Sequence, residues 1–206
     1  MRRIVQVIML LAFFLPRISY ADVLERPAFT GYVYDYGDVL TSSDETLMNN
    51  YARTTEDIGA GQVIVVTVES LSGMTAAEYG LELMNAWGIG RAGINDGLLI
   101  LLALNERYVQ ICTGSDIDTQ ITDDECGLLI DEFALSYLAN NEFSKGVMEL
   151  TKASCLELVF ERSALFDDKR MIEKIFNMNE MGNRNILDTE VDTSDDYMDK
   201  IKNVYE

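Results

Sequence analysis

Histidine is missing from all 206 residues. Without imidazole there is no Ser–His–Asp or Cys–His pair and no His-ligated metal, so any chemistry rests on carboxylates, hydroxyls, thiols or a bound metal. Basic residues are scarce as well, 16 against 35 acids, for a net charge of −19. A chain this acidic has no basic stripe with which to displace counterions, which disfavours nucleic acid and anionic lipid surfaces and favours cations or basic protein surfaces as partners. No G-x-S-x-G motif is present and no histidine could act as base, so a serine-nucleophile enzyme is a poor reading. Cysteine is limited to Cys112, Cys126 and Cys155. Their spacing fits no zinc pattern, and an odd number cannot pair completely within one chain. Cys112 lies in a strand pattern and reads as a small core residue; whether two of the three form a disulfide is left open by sequence.

What the chain does have is an apolar fraction of 48% with 25% charged residues, the composition of a globular protein. Its length suits one domain with a sizeable core and some extra chain. The opening "MRRIVQVIMLLAFFLPRISYAD" combines two arginines, an apolar stretch from Ile4 to Leu15 and small residues at Ser19 and Ala21. This is the pattern of a secretory signal over residues 1–21, and it predicts an exported protein, secreted, periplasmic or held in the cell envelope. The alternative is an uncleaved anchor, although the apolar run falls short of the roughly 20 residues that span a bilayer. Cleavage would remove Arg2, Arg3 and Arg17 and no acid, taking the charge from −19 to −22.

Past an extended lead, Ser42 with Glu45, Thr75 with Glu78, and Thr122 with Glu125 each read as a capping box, and each predicts a helix start. The first helix carries Leu47, Met48, Tyr51 and Ile58 and should stop at Gly59–Gly61. "QVIVVTV" is a β-branched run suited to a strand covered on both faces. A second helix over about 76–86 places Tyr79, Leu83 and Trp87 on one side, and "GLLILLAL" is the next buried strand, turning at Asn105-Glu106 into "RYVQICT". Helices over about 123–139 and 143–160 follow, the last with Phe143, Val147, Leu150 and Ser154 on one stripe. Tyr32, Tyr34 and Tyr36 alternate as a half-buried edge strand would. The pattern predicts an α/β fold, a three-layer α/β/α sandwich with a mixed central sheet including one β-hairpin. Residues 22–163 form the domain, and 164–206 an acidic C-terminal tail with a short helix near 168–177.

In "GINDGLLILLALNERYVQICTGSD" the hairpin brings the start of one strand beside the end of the next, so Asn95 and Asp96 approach Gly114, Ser115, Asp116 and Asp118, with Asp123 and Asp124 opening the following helix. Carboxylates gathered on one rim repel unless a cation lies between them, and Ca²⁺ or Mg²⁺ takes such oxygen ligands. Turn formation and helix capping account for the same residues without a metal. "DIDTQITDDECG" begins like an EF-hand loop but has Ile121 at its sixth position and Gly127 at its twelfth, where that loop needs glycine and glutamate. The same "DIDT" looks like the aspartate-nucleophile motif of haloacid-dehalogenase-type phosphatases, which need further strands downstream; here only helices and tail follow.

Four ordered motifs, "VYDYGDVLTSSDE", "GQVIVVTVESL", "WGIGRAGINDGLLILLALNERYVQICTG" and "ITDDECGLLIDEFALSYLANNEFSKGV", together resemble the TPM-domain family over about residues 30–160. That group includes a thylakoid-lumen protein of photosystem II repair, a nematode receptor accessory protein and many exported bacterial proteins. The resemblance implies an α/β/α sandwich with a Ca²⁺ or Mg²⁺ site in an acidic groove, serving as an accessory module for envelope or membrane-protein partners. It also implies, as an alternative, weak metal-assisted acid phosphatase activity on phosphomonoesters. By position it implies Asp35, Asn95, Asp96 and Asp123 as metal-site residues, Asp96 and Asp123 being also the catalytic candidates; Asp116 and Asp118 join the set from the hairpin geometry. In the hydrolytic reading Arg91 or Arg107 meets the phosphate. Two departures stand out: Asp116 and Asp118 replace a second glycine and a glutamate after Gly114, and Ser136 replaces a late-helix proline.

Overall fold

A computed structural model describes residues 23–28 and 31–166. The expected signal segment and the expected helix near 168–177 lie outside the described residues. In chain order the elements are β1 (Val33–Asp35), α1 (Ser42–Asp57), β2 (Gln62–Val68), α2 (Ala76–Trp87), β3 (Gly97–Ala103), β4 (Tyr108–Thr113), α3 (Asp123–Phe133), α4 (Leu135–Ala139) and α5 (Phe143–Phe166).

The strands form one sheet in the order β1-β2-β3-β4. β1, β2 and β3 run parallel, and β4 returns antiparallel through the hairpin. β2 and β3 are continuous apolar runs because both of their faces are covered. On one face Val63, Val65, Leu98, Ile100 and Leu102 pack against Met48 and Tyr51 of α1, Leu129 of α3 and Leu150 of α5. On the other, Ile64, Val66, Leu99 and Leu101 pack against Tyr79, Leu83 and Trp87 of α2. The architecture is the expected α/β/α sandwich. The crossovers from β1 to β2 and from β2 to β3 advance the same way across the sheet yet leave on opposite faces. They therefore have opposite hands, and one departs from the usual right-handed rule.

Three local expectations are corrected. The cap of α1 is Thr41, not Ser42: its extended backbone lets its hydroxyl accept the Asp44 N–H at 3.2 Å, without a reciprocal glutamate bond. A tertiary contact selects this register, since the Thr41 N–H donates to Ser144 Oγ of α5 at 2.8 Å and that hydroxyl donates in turn to Asp44. The two other boxes, at Thr75 and Thr122, form as expected. The third expected helix is interrupted at Ala134, whose φ of −117° departs from the usual helical value of about −63°, and Leu138 of the following turn packs onto α5 beside Gly146. The last helix runs on to Phe166 rather than ending near Phe160, carried by buried residues as far as Ser163.

Candidate functional site

Asn95 and Asp96 do sit beside the segment that leaves β4. The Gly114 N–H donates to the Gly97 C=O at 2.7 Å and the Asp116 N–H to the Asn95 C=O at 3.3 Å, extending the β3–β4 ladder past both strand ends. Asn95 holds φ +63°, a conformation that asparagine tolerates better than most residues. Gly114 cannot carry a side chain, because a Cβ there would collide with the Asn95 carbonyl.

The carboxylate of Asp96, however, is fully buried and already occupied. Its Oδ1 accepts the Arg91 N–H at 2.9 Å and its Oδ2 accepts Arg91 Nε at 2.6 Å, with Arg91 Nη2 completing the ion pair. Burial alone would raise the Asp96 pKa; the hydrogen bonds and charge of Arg91 outweigh it and hold the group below its usual range. Arg91 also donates to the Gly59 C=O at 3.0 Å. The Asp96 C=O accepts the Gln62 N–H at 2.9 Å. The Gln62 side chain accepts the Gly90 N–H at 2.8 Å and donates to Glu56 at 3.0 Å, and Tyr32 donates to the same Glu56 at 2.6 Å. Burial and then Glu56 push the Tyr32 phenol up to about 12. This network clamps the 88–96 loop to the sheet. Sequence reasoning missed it, although the Arg91-to-Asp96 spacing across a glycine-rich loop was a usable signal.

The other expected ligands are dispersed. Asp116 accepts Arg162 Nη2 at 2.6 Å, a partner supplied by α5. Asp35 lies at the opposite end of the sheet, paired in register with Thr67, whereas Asp96 precedes the Gln62–Gly97 pair. At about 3.3 Å per residue the separation is roughly 20 Å along the strands. There Asp35 accepts the Val39 and Leu40 N–H groups at 2.9 Å each and the Thr67 hydroxyl, shaping the turn into α1. The set of Asp35, Asn95, Asp96, Asp116, Asp118 and Asp123 thus does not converge on one point. Among the described residues no group of three or more His, Cys, Asp or Glu side chains is placed to hold a metal ion.

Asp118 and Asp123 do share a site. Both are exposed, and both line a cavity of about 650 Å³ beside β4, together with Thr113, Ser115, Cys126 and Ile130. A second cavity of about 400 Å³ continues along the same strand past Tyr108 and Val109 to Leu135, Leu138 and Phe143. The two share Tyr108, Val109, Gly127 and Ile130, so they form one groove between β4 and the α3–α4 pair. The thiols at this groove are poor nucleophiles: burial, then Asp123, pushes Cys112 up to about 11 and Cys126 up to about 12. All three cysteines are free. Arg107, at the groove's end, donates to Asn141 at 3.1 Å.

The model of the TPM domain matches residues 33–155, more than half of the chain. This chain belongs to the TPM-domain family. Among solved structures, the TPM domain here is similar to the N-terminal domain of a Porphyromonas gingivalis protein, with 26% identity and a TM-score of 0.59, over 63% of this chain and 82% of that one. It is also similar in fold to the BA42 protein of the psychrophilic bacterium Bizionia argentinensis, with 16% identity and a TM-score of 0.52, over 60% of this chain and 84% of that one. Comparison with curated proteins gives no significant match. In this TPM domain, then, three of the acids expected as ligands divide into structural clamps, Asp35 and Asp96, and a residue that lines the groove, Asp123.

Proposed function

We propose that the protein is an exported accessory module that engages an envelope or membrane-protein partner through the groove beside β4. The observation that supports this is the groove itself, open along β4, apolar toward Leu135, Leu138 and Phe143 and polar toward Ser115, Asp118 and Asp123, with the thiols of Cys112 and Cys126 kept protonated by burial. Within this proposal, Ca²⁺ or Mg²⁺ is a secondary ligand at Asp118 and Asp123, the two expected ligands that line one cavity and make no ion pair with a basic side chain. The residues present do not fit a closed cation cage, and no step of the reading depends on a metal. Phosphomonoester hydrolysis draws less support, because Asp96 and Arg91 are committed to each other rather than turned toward a cavity.

A photo-reactive residue placed at Tyr108, in the groove, and separately at Leu81, exposed on α2 and outside it, tests the module reading in the native host. Tyr108 should cross-link to one recurrent envelope protein and Leu81 should not. Equal labelling from both, or none from Tyr108, would end the reading. For the cation, the melting temperature of the full chain should rise in millimolar-range Ca²⁺ or Mg²⁺ relative to chelator, and Asp118→Asn with Asp123→Asn should abolish the rise. An identical melt in all three conditions removes the cation from the proposal.

A further inference from the structure

Among the described residues β4 is an edge strand, and none of them pairs with or blunts its free side. Natural edges are blunted by charge, proline, bulges or very short length. Tyr108–Thr113 is six residues long with no charged residue and no proline, whereas the opposite edge, β1, has three residues. The ladder shows which of its backbone groups are free. Gly97 with Gly114 and Asn95 with Asp116 are hydrogen-bonded pairs, and bonded and non-bonded pairs alternate in an antiparallel ladder. Tyr108, Gln110 and Cys112 therefore face β3 with their N–H and C=O groups, and Val109, Ile111 and Thr113 point theirs outward. The Ile111 C=O confirms this, since it accepts the Gln110 side-chain amide at 2.7 Å, a local placeholder on the open edge.

Helices flank this edge without closing it. Ala77 of α2 lines the cavity on one side and Cys126, Gly127 and Ile130 of α3 on the other. An incoming strand would lie between them, its alternate side chains dropping toward Ile130, Leu135 and Leu138. Large apolar side chains stand exposed at or near the groove, Tyr108 at 53%, Leu135 at 52% and Leu128 at 43%. Charge selects the occupant. Asp118 and Asp123 border one end and Asp131 the other, while Arg107 alone of the lining residues is cationic and is already bonded to Asn141. The chain's own residues 167–206, with 11 acids and six basic residues, do not complement this rim.

Resting on the interaction-module reading, we infer that β4 takes up an extended segment of a partner protein by strand addition, the segment having apolar residues at alternate positions and Lys or Arg at its ends. Backbone hydrogen bonds to Val109, Ile111 and Thr113 hold the segment, and the groove and acidic rim select its side chains.

A random peptide library displayed on phage, selected on the immobilised full chain, tests this. Enriched peptides should alternate apolar residues and carry flanking Lys or Arg. Their synthetic counterparts should bind Thr113→Pro about tenfold more weakly, because proline removes an outward N–H and leaves its partner carbonyl unpaired, while no bond to β3 is lost. Asp118→Lys, an exposed position, should weaken the same peptides and serves as the readout should the proline variant not fold. No enrichment, enrichment of acidic or unpatterned sequences, or binding insensitive to both substitutions overturns strand addition. So does tighter peptide binding by a chain ending at Phe166, which would make the C-terminal segment the occupant, or a solution dimer dissolved by Thr113→Pro, which would make a second copy the occupant. Peptides that bind away from β4 leave the module reading standing, whereas its own loss is read from the Tyr108 and Leu81 cross-links.

Discussion

At the scale of single residues, Arg91 and Asp96 form the pair on which the 88–96 loop depends. Asp96 is fully buried, so removing Arg91 leaves a charge with neither water nor counterion. Arg91→Ala should lower the unfolding free energy by about 3 kcal/mol, read from the urea midpoint. Asp96→Asn should cost less, since an amide oxygen still accepts the Arg91 N–H. The pair also sets an acid limit. The Asp96 pKa is lower in the folded chain than in the unfolded one, so on acidification the unfolded state takes up the proton first. Its stabilisation is complete above about pH 4, the unfolded value, and fades as pH falls through the depressed folded value. Urea unfolding between neutral and acid pH should show a steeper loss below about pH 4 for the parent chain than for Asp96→Asn. Equal slopes would mean that the ion pair does not persist in solution.

At the scale of elements, α2 approaches β4 so closely that Gly80 has no room for a methyl group. A Cβ at that position would collide with Cys112 Sγ. Alanine is the better helix former by about 1 kcal/mol, yet overpacking costs about 1–3 kcal/mol, so Gly80→Ala should destabilise. Adding Cys112→Ala should restore stability, and a double-mutant cycle by chemical denaturation measures the coupling. Absence of rescue would place the strain elsewhere on α2. The same contact keeps Cys112 half-buried and its thiol pKa high, so its labelling by a thiol reagent should be slow near neutral pH and accelerate on unfolding.

At the scale of the whole molecule, a net charge of −19 repels itself most strongly in the compact state. Raising salt from about 20 to about 200 mM shortens the screening length and should raise the melting temperature. A flat response would mean that the charges are already spaced beyond one another's reach. Among the described residues no helix is long and apolar enough to cross a membrane.

Local regularity was legible in the residues. The β-branched run at Gln62–Val68, the apolar run at Gly97–Ala103, the turn centred on Asn105-Glu106 and the capping boxes at Thr75 and Thr122 each carry their signal in adjacent residues, and all stand where their patterns place them. The nearness of Asn95 to Asp116 also followed from the hairpin alone. What each side chain does was decided in part by residues distant in sequence: Arg162 of α5 for Asp116, Thr67 of β2, beside the local Val39 and Leu40 N–H groups, for Asp35, and Ser144 for the cap of α1. Asp96 found its partner only five residues away, but its burial came from closing the loop against Gln62, Glu56 and Tyr32. A charge's role depends on which solvent and which counterions surround it, and that is a property of packing. The free side of β4 is likewise invisible in its own six residues, because strand order, not strand composition, decides which edge is left open.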